Sequence, residues 1–241
     1  MQQHRIVSPD EWLAERKHLL AKEKALTHAR DQLAAERRSL PWVKVDKSYV
    51  FDTPVGKRTL AELFDGKSQL FVYHFMLGPG WDEGCPSCSY LADQFDGAVI
   101  HLSARDVAFV AVSRAPLAEI ETCKRRMGWR FPWVSSFGSD FNFDYHVSFN
   151  DAETDAEGEY NYARQKIESD EMPGASVFYQ DPAGAVFHTY STYARGLDAL
   201  IGPYNFLDLT PKGRDEANLP WTMAWVRHHD RYDAAPSRGA C

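Results

Sequence analysis

Two cysteines separated by two residues are the strongest chemical signal in this sequence. Cys85 and Cys88 form a C-x-x-C motif within "GCPSCSY", which follows the loop "GPGWDEG" and starts the helical pattern "CPSCSYLADQFDGAVIHL". Backbone N–H groups at a helix start stabilise a thiolate. The motif therefore predicts that Cys85 is a nucleophile and that Cys88 resolves the mixed disulfide it forms. Pro86 suits the first helical turn, because the N–H that it lacks would have no partner there.

A zinc half-site is the alternative interpretation of the same spacing. Zinc needs two further ligands, for which the sequence offers Cys123, Cys241 and histidines such as His74 and His101. No second C-x-x-C and no H-x-x-x-H occurs. Zinc knuckles usually lie in turns, whereas this pair lies between a predicted central strand and a helix. We favour the redox interpretation over zinc and over an inert pair, and predict neither a metal nor a cofactor.

Composition limits the class of protein. A chain of 241 residues can bury one main core. The net charge of −7 argues against a nucleic-acid partner, because phosphate binding needs a basic surface. No apolar run could span a bilayer, the first residues lack the pattern of a secretory signal, and four cysteines are too few for a disulfide framework. We therefore expect a cytoplasmic protein with no membrane partner.

The first segment has the pattern of a long amphipathic helix. "SPDE", residues 8–11, provides an N-cap, a proline and a capping-box glutamate, and Pro41 marks the latest end. An apolar residue recurs at every seventh position, at Trp12, Leu19, Leu26, Leu33 and Leu40. The pattern predicts a helical arm over residues 1–41 that packs on the core of its own chain. A homodimer seam is the alternative.

Alternating strands and helices follow, which indicates an α/β domain over residues 42–210. "SYVFDTPVGKRTLAELF" predicts a hairpin and a short helix, "QLFVYHFML" and "VAFVAVSR" predict buried strands, and residues 116–128 a helix. "PGASVFYQDPAGAVFHTYS", residues 173–191, predicts an antiparallel hairpin. An acidic stretch at about residues 150–171 is interpreted as an insertion, and residues 211–241 as a tail that packs on the core.

These elements together resemble the thioredoxin fold, a mixed central sheet flanked by helices, here with an added long N-terminal helix. The segments "WDEGCPSCSYLAD", "FPWVSSFGSDFNFDYHVSF" and "GASVFYQDPAGAVFHTYSTYARGLD" are similar to the DUF899 family of thioredoxin-like proteins, predicted dithiol-disulfide oxidoreductases. The resemblance covers nearly the entire chain, including the "RHHDRY" tail. Its specific parts are the C-x-x-C and "FHTYSTYARG".

The resemblance implies roles for further residues. Pro173 occupies the place of the cis-proline that helps to bind the substrate backbone, and Trp81 and Pro86 are candidates for the substrate surface. The buried carboxylate of thioredoxins has no counterpart, and His74 stands about there as a candidate proton acceptor for the resolving thiol. The implied partners are a protein or small-molecule disulfide or thiol substrate and an external redox donor.

Two other functions stay open at this point. "VFDTPVGKRTLAELF" is also similar to peroxiredoxins, but that chemistry needs a Thr or Ser three residues before the reactive cysteine. Asp82 stands there relative to Cys85. The second alternative is a non-enzymatic binding module in which the cysteines are incidental.

Overall fold

This computed structural model describes residues 4–232 of the chain. From residue 43 onwards, a mixed eight-stranded sheet organises the fold. The strands of the sheet are β1 (Val43–Lys44), β2 (Val50–Thr53), β3 (Gly56–Thr59), β4 (Gln69–His74), β5 (Val107–Ser113), β6 (Trp133–Ser135), β9 (Gly174–Gln180) and β10 (Val186–Tyr193). A separate antiparallel pair is formed by β7 (Gly158–Tyr160) and β8 (Ala163–Gln165).

Helices connect and flank these strands. The α-helices are α1 (Pro9–Arg38), α2 (Pro86–Ala92), α3 (Phe95–Ala104), α4 (Leu117–Met127), α5 (Phe141–Asp144), α6 (Asp151–Asp155) and α7 (Gly202–Leu207). Short 3-10 helices span Ala61–Phe64, Ala194–Leu200 and His229–Arg231. The predicted helix after the cysteines is thus two helices, because the chain turns between α2 and α3.

The strand order is β1-β10-β9-β4-β5-β6-β2-β3. Strands β4, β5 and β6 run parallel, whereas β9 is antiparallel to β4 and β10 is antiparallel to β9. The β4-α-β5 crossover and the β9–β10 hairpin are the elements that the sequence predicted. The fold is a thioredoxin-like α/β fold with a mixed central sheet flanked by helices and an added long N-terminal helix.

The sheet separates two apolar clusters, because side chains of a strand alternate between its faces. Tyr73 and Phe75 belong to the cluster that α2, α3 and α4 cover, which we call the helix face. Leu70 and Val72 belong to the cluster that contains Phe141 of α5, which we call the opposite face. The near-continuous apolar run of β4 follows from its burial on both faces.

The chain divides into two compact units after Trp42. In the first unit, Ser8 caps α1 and forms a complete capping box with Glu11, as predicted. The helix ends at Arg38, so Leu40 lies beyond it. The packing of the arm on the core stays a prediction. Among residues 4–232, no helix combines the length and the apolar character needed to cross a membrane.

In the second unit, the acidic stretch forms α6 and the β7–β8 pair, and Tyr160 and Ile167 within it are buried. The tail also contributes to the interior. Val226 belongs to the apolar cluster of the helix face, and His228 is buried. Residues 233–241, the end of the predicted tail, lie outside the described residues.

Candidate active site

The C-x-x-C loop is held in place by backbone contacts on both sides of Cys85. The Cys85 N–H donates to the Met76 carbonyl at 3.1 Å, and the Cys85 carbonyl accepts from the Ser89 N–H at 2.9 Å. A Cβ at Gly84 would lie 2.6 Å from the Phe75 ring, so only glycine permits this close approach. The loop therefore brings Cys85 directly to the end of β4.

A short segment near the C-terminus, residues 228–231, closes over the same loop, and we call it the C-terminal clamp. His228 Nε2 donates to the Gly84 carbonyl at 2.8 Å from a buried position. Arg231 binds Glu83, with nitrogen–oxygen distances of 2.9 and 2.8 Å. Arg126 of α4 joins both sides, since it contacts Glu83 at 3.0 Å and Asp230 at 2.9 Å. The carbonyl of Gly84, the residue before Cys85, thus has a direction that its hydrogen bond with His228 fixes.

The two thiols differ in exposure and in acidity. Cys85 is the N-cap residue of α2 and is partly exposed, whereas Cys88 is 2% exposed. A hydrogen bond with the Cys88 side chain lowers the pKa of Cys85 to about 7; burial opposes this, and the backbone N–H groups of Cys88 and Ser87 add to it. Burial, above all, raises the pKa of Cys88 well above its usual value. Cys85 is therefore the thiol that ionises first, and about half of it is thiolate near pH 7.

Tyr73 lies beneath the buried thiol. Its side chain is 1% exposed, and its hydroxyl hydrogen-bonds the Cys88 sulfur, which acts to lower the pKa of Cys88. Burial raises the pKa of Tyr73 itself far above its usual value. The phenol therefore keeps its proton and can donate a hydrogen bond to a Cys88 thiolate, but it cannot act as a base at neutral pH.

A cavity of about 230 Å³ opens beside both cysteines, and we call it the thiol cavity. Its walls come from β4, α2, the 3-10 segment Ala194–Leu200 and the tail. Most of its lining is apolar, from Met76, Leu91, Leu197, Ile201 and Met223. The charged residues that line it, Arg195 and Asp198, bind one another at 2.9 Å. A substrate group can thus reach the Cys85 sulfur through an apolar space.

Pro173 lines the thiol cavity, because it immediately precedes β9 and the start of β9 pairs with the end of β4. The expectation of a cis bond was wrong: the Met172–Pro173 peptide is trans, and no cis peptide occurs in residues 4–232. Hydrogen bonds hold the trans segment. The Met172 N–H donates to the Val147 carbonyl at 2.8 Å, and the Tyr160 hydroxyl donates to the Pro173 carbonyl at 2.7 Å.

Trp81 and Pro86 stand beside the site without lining the thiol cavity. Pro86 is exposed at the first position of α2, as its helix-starting role predicted. Trp81 is partly buried, and its indole would lie 2.9 Å from a Cβ at Gly78. Their contact with a substrate stays a prediction.

A buried carboxylate, which the sequence reasoning missed, lies two residues before Pro173. Glu171 is 1% exposed and accepts hydrogen bonds from Arg114 Nε at 2.6 Å and Ser148 Oγ at 2.7 Å. Burial raises the pKa of Glu171 to about 7, although both hydrogen bonds oppose the rise. Glu171 therefore joins residues 171–173, which we call the proline segment, to Arg114, the residue that follows β5.

His74 does not contact the thiols, so its assignment as proton acceptor was wrong. It faces the opposite face of the sheet, where its ring packs against Phe141 and Tyr145. His74 Nε2 lies 2.8 Å from Ser176 Oγ, which lies 2.8 Å from Ser191 Oγ. Burial lowers the pKa of His74 to about 3, so the ring is neutral. Strand alternation puts Tyr73, not His74, next to Cys88.

The other cysteines have separate environments. Cys123 of α4 is buried, and its sulfur accepts the Gly84 N–H. Cys241 lies outside the described residues. Within the described part of the chain, no three His, Cys, Asp or Glu side chains gather as metal ligands.

Comparison with protein-family models gives a decisive match. The model described as "Bacterial protein of unknown function (DUF899)" matches residues 1–232. The chain belongs to the DUF899 family. No curated protein matches the sequence.

Solved structures that resemble this chain at low sequence identity include peroxiredoxins. Peroxiredoxin Q from Xanthomonas campestris is 15% identical, with a TM-score of 0.43 over 69% of this chain and 96% of that one. A mitochondrial 2-Cys peroxiredoxin from Plasmodium falciparum is 13% identical, with a TM-score of 0.42 over 69% and 93%. A peroxidoxin from Mycobacterium tuberculosis is 12% identical, with a TM-score of 0.40 over 68% and 94%.

Proposed function

We propose that this DUF899 protein is a dithiol-disulfide oxidoreductase in which Cys85 attacks and Cys88 resolves. The observation that carries the proposal is the asymmetry of the pair. Cys85 is partly exposed beside an open cavity and has a pKa of about 7, whereas Cys88 is buried and has a raised pKa. An accessible thiolate next to a protonated, buried thiol is the arrangement that a two-step exchange needs.

The exchange follows from these positions. The Cys85 thiolate attacks one sulfur of a substrate disulfide, and the other substrate sulfur leaves and takes a proton. Cys88 then loses its proton as it attacks the Cys85 sulfur, and Tyr73 donates a hydrogen bond to the developing Cys88 thiolate. The bond between Cys85 and the substrate sulfur breaks, and that second substrate sulfur leaves and takes a proton. The products are two substrate thiols and a Cys85–Cys88 disulfide, which an external dithiol donor reduces. No metal or organic cofactor enters these steps.

The pKa of Cys85 also supports one direction of the exchange, reduction of the substrate. Strongly oxidising pairs have a leading thiol with a far lower pKa, because a very stable thiolate makes the disulfide easy to reduce. The pKa of Cys85, about 7, is close to that of the leading thiol of thioredoxin, which is a reductase. We therefore propose that the protein reduces its substrate, in the cytoplasm, with a reduction potential below about −200 mV.

The test is a redox titration of the purified protein against a dithiothreitol couple. Alkylated thiols are counted by peptide mass spectrometry and zinc by elemental analysis. We expect Cys85 and Cys88 to become protected from alkylation together, as one two-electron couple. The potential should change by about 30 mV for each tenfold change in the ratio of reduced to oxidised protein. The Cys123→Ser variant is the control and should titrate identically. Thiols that never pair, or zinc bound at one ion per chain, would refute the proposal and favour a binding module.

A further inference from the structure

The size and lining of the thiol cavity restrict what can reach Cys85. Its volume of about 230 Å³ lies below the ~300–1,000 Å³ of clefts that hold drug-sized ligands. Asp198 is neutralised by Arg195 at 2.9 Å and by Arg214 at 3.0 Å. The cavity therefore offers an arriving group mainly thioether and aliphatic surface. A short uncharged apolar group fits this space better than a charged one.

The proline segment offers little to a polypeptide. A protein substrate in an extended conformation is usually held by backbone hydrogen bonds, as if it added a strand. Here the Met172 N–H and the Pro173 carbonyl are already bound within the chain, to Val147 and Tyr160. The same Tyr160 hydroxyl accepts the Ala194 N–H at 3.0 Å. One side chain thus joins two walls of the thiol cavity and occupies the backbone group that a peptide would need.

We propose that the substrate of Cys85 is a low-molecular-weight disulfide with a short uncharged apolar substituent, and not a protein disulfide. This inference rests on the proposed function. Cys85 attacks the sulfur that bears the apolar group, and the other half leaves as a thiol after it takes a proton. The apolar group remains in the thiol cavity as a Cys85 mixed disulfide. Cys88 attacks Cys85, releases the second thiol and leaves the Cys85–Cys88 disulfide, which dithiothreitol reduces in the assay.

The experiment compares three disulfides in single-turnover reactions with the pre-reduced full chain: dipropyl disulfide, cystine and insulin. Each rate is divided by the rate at which dithiothreitol alone reduces the same disulfide, which removes differences in leaving-group reactivity. Burial of most of one propyl group corresponds to about 2 kcal/mol, or roughly 30-fold. We expect the normalised rate for dipropyl disulfide to exceed those for cystine and insulin by about that factor.

A cavity-filling variant tests the location. Thr222 lines the thiol cavity from an exposed position, so Thr222→Trp can occupy the space without disturbing the core. We expect it to lower the preference for dipropyl disulfide over insulin at least fivefold. Thr210→Trp, at an exposed threonine that immediately precedes the tail and does not line the cavity, is the matched control and should keep the preference.

The outcomes separate the two proposals. A normalised insulin rate equal to or above that of dipropyl disulfide, or a preference that Thr222→Trp leaves intact, overturns the substrate class. If no probe reacts faster than with dithiothreitol alone, the substrate class is also wrong. In each case a reversible Cys85–Cys88 couple in the redox titration preserves the proposed function, and its absence removes both.

Discussion

Replacement of Cys88 by alanine should raise the pKa of Cys85. The hydrogen bond from the Cys88 side chain is the largest cause of the lowering from 9.0 to about 7, while the backbone N–H groups of Cys88 and Ser87 remain in the variant. A hydrogen bond to a charged group contributes about 1.5–3 kcal/mol, and one pKa unit corresponds to about 1.4 kcal/mol. We therefore expect Cys88→Ala to raise the pKa of Cys85 by about 1 to 2 units, to about 8 or above.

The assay is alkylation of Cys85 with iodoacetamide between about pH 5 and pH 10, followed on the peptide that contains Cys85. The midpoint of the rate profile is the quantity to compare, because a thiolate with a higher pKa is also more nucleophilic. Cys88→Ser keeps a hydroxyl donor and should shift the midpoint less than Cys88→Ala. Cys123→Ala, the same substitution at a buried thiol of α4, is the matched control and should leave it in place.

Two results would refute this reasoning. A wild-type midpoint near 9 would mean that Cys85 has no lowered pKa. A midpoint near 7 that Cys88→Ala leaves unchanged would mean that the backbone N–H groups, not the second thiol, stabilise the thiolate.

Three further predictions concern residues that surround the pair. Tyr73→Phe removes the hydroxyl that hydrogen-bonds Cys88, so the Cys85 mixed disulfide should persist about tenfold longer, as measured by quenched mass spectrometry. His228→Ala leaves the Gly84 carbonyl without its donor and should lower the free energy of unfolding in urea by about 1–3 kcal/mol, while His228→Gln restores part of it. Glu171→Gln removes a carboxyl whose pKa is about 7 in the folded chain and 4.5 ordinarily. Folding binds its proton more tightly, so the wild type should lose up to about 3 kcal/mol relative to the variant as pH rises from about 4.5 to 7.

Each of these predictions has an outcome that contradicts it. A mixed disulfide of wild-type lifetime in Tyr73→Phe would mean that the phenol does not assist the resolving step. Equal unfolding free energies for His228→Ala and the wild type would mean that the C-terminal clamp does not stabilise the fold. A difference between wild type and Glu171→Gln that stays constant over this pH range would show that Arg114 keeps Glu171 ionised in the folded chain.

The sequence predicts those parts of the fold that local patterns determine. The β9–β10 hairpin follows from the turn residues of "QDPAG", and the α1 start follows from its capping box. The C-x-x-C at the start of α2 was equally visible, since a motif and its helix are contiguous. Within β4 the hydrophobic pattern did not distinguish one face of the strand from the other, because both faces are buried. "VYHF" therefore did not show that Tyr73, and not His74, faces the thiols.

Other parts of the site depend on segments far apart in the chain. Tyr160 reaches Pro173 from the acidic stretch, and His228 reaches Gly84 from the tail. Neither stretch has a strong periodicity of its own. The sequence shows a tyrosine in the acidic stretch and the "RHHDRY" tail, but only the tertiary fold determines which residues these two contact. The trans peptide bond before Pro173 is a further feature of the site that the thioredoxin resemblance did not predict.

The C-terminal clamp has a consequence for the order in which the protein matures. It joins Glu83 and Gly84 to residues that lie 148 and 144 positions later in the chain. On a ribosome, β4, α2 and both cysteines emerge long before His228 and Arg231 are synthesised. Contacts between such distant positions also form late, because closing a long loop costs entropy before the contact can stabilise it. The nascent chain therefore carries its reactive cysteines before the segment that fixes their loop exists, and the two thiols reach their final environment only in the last stage of folding.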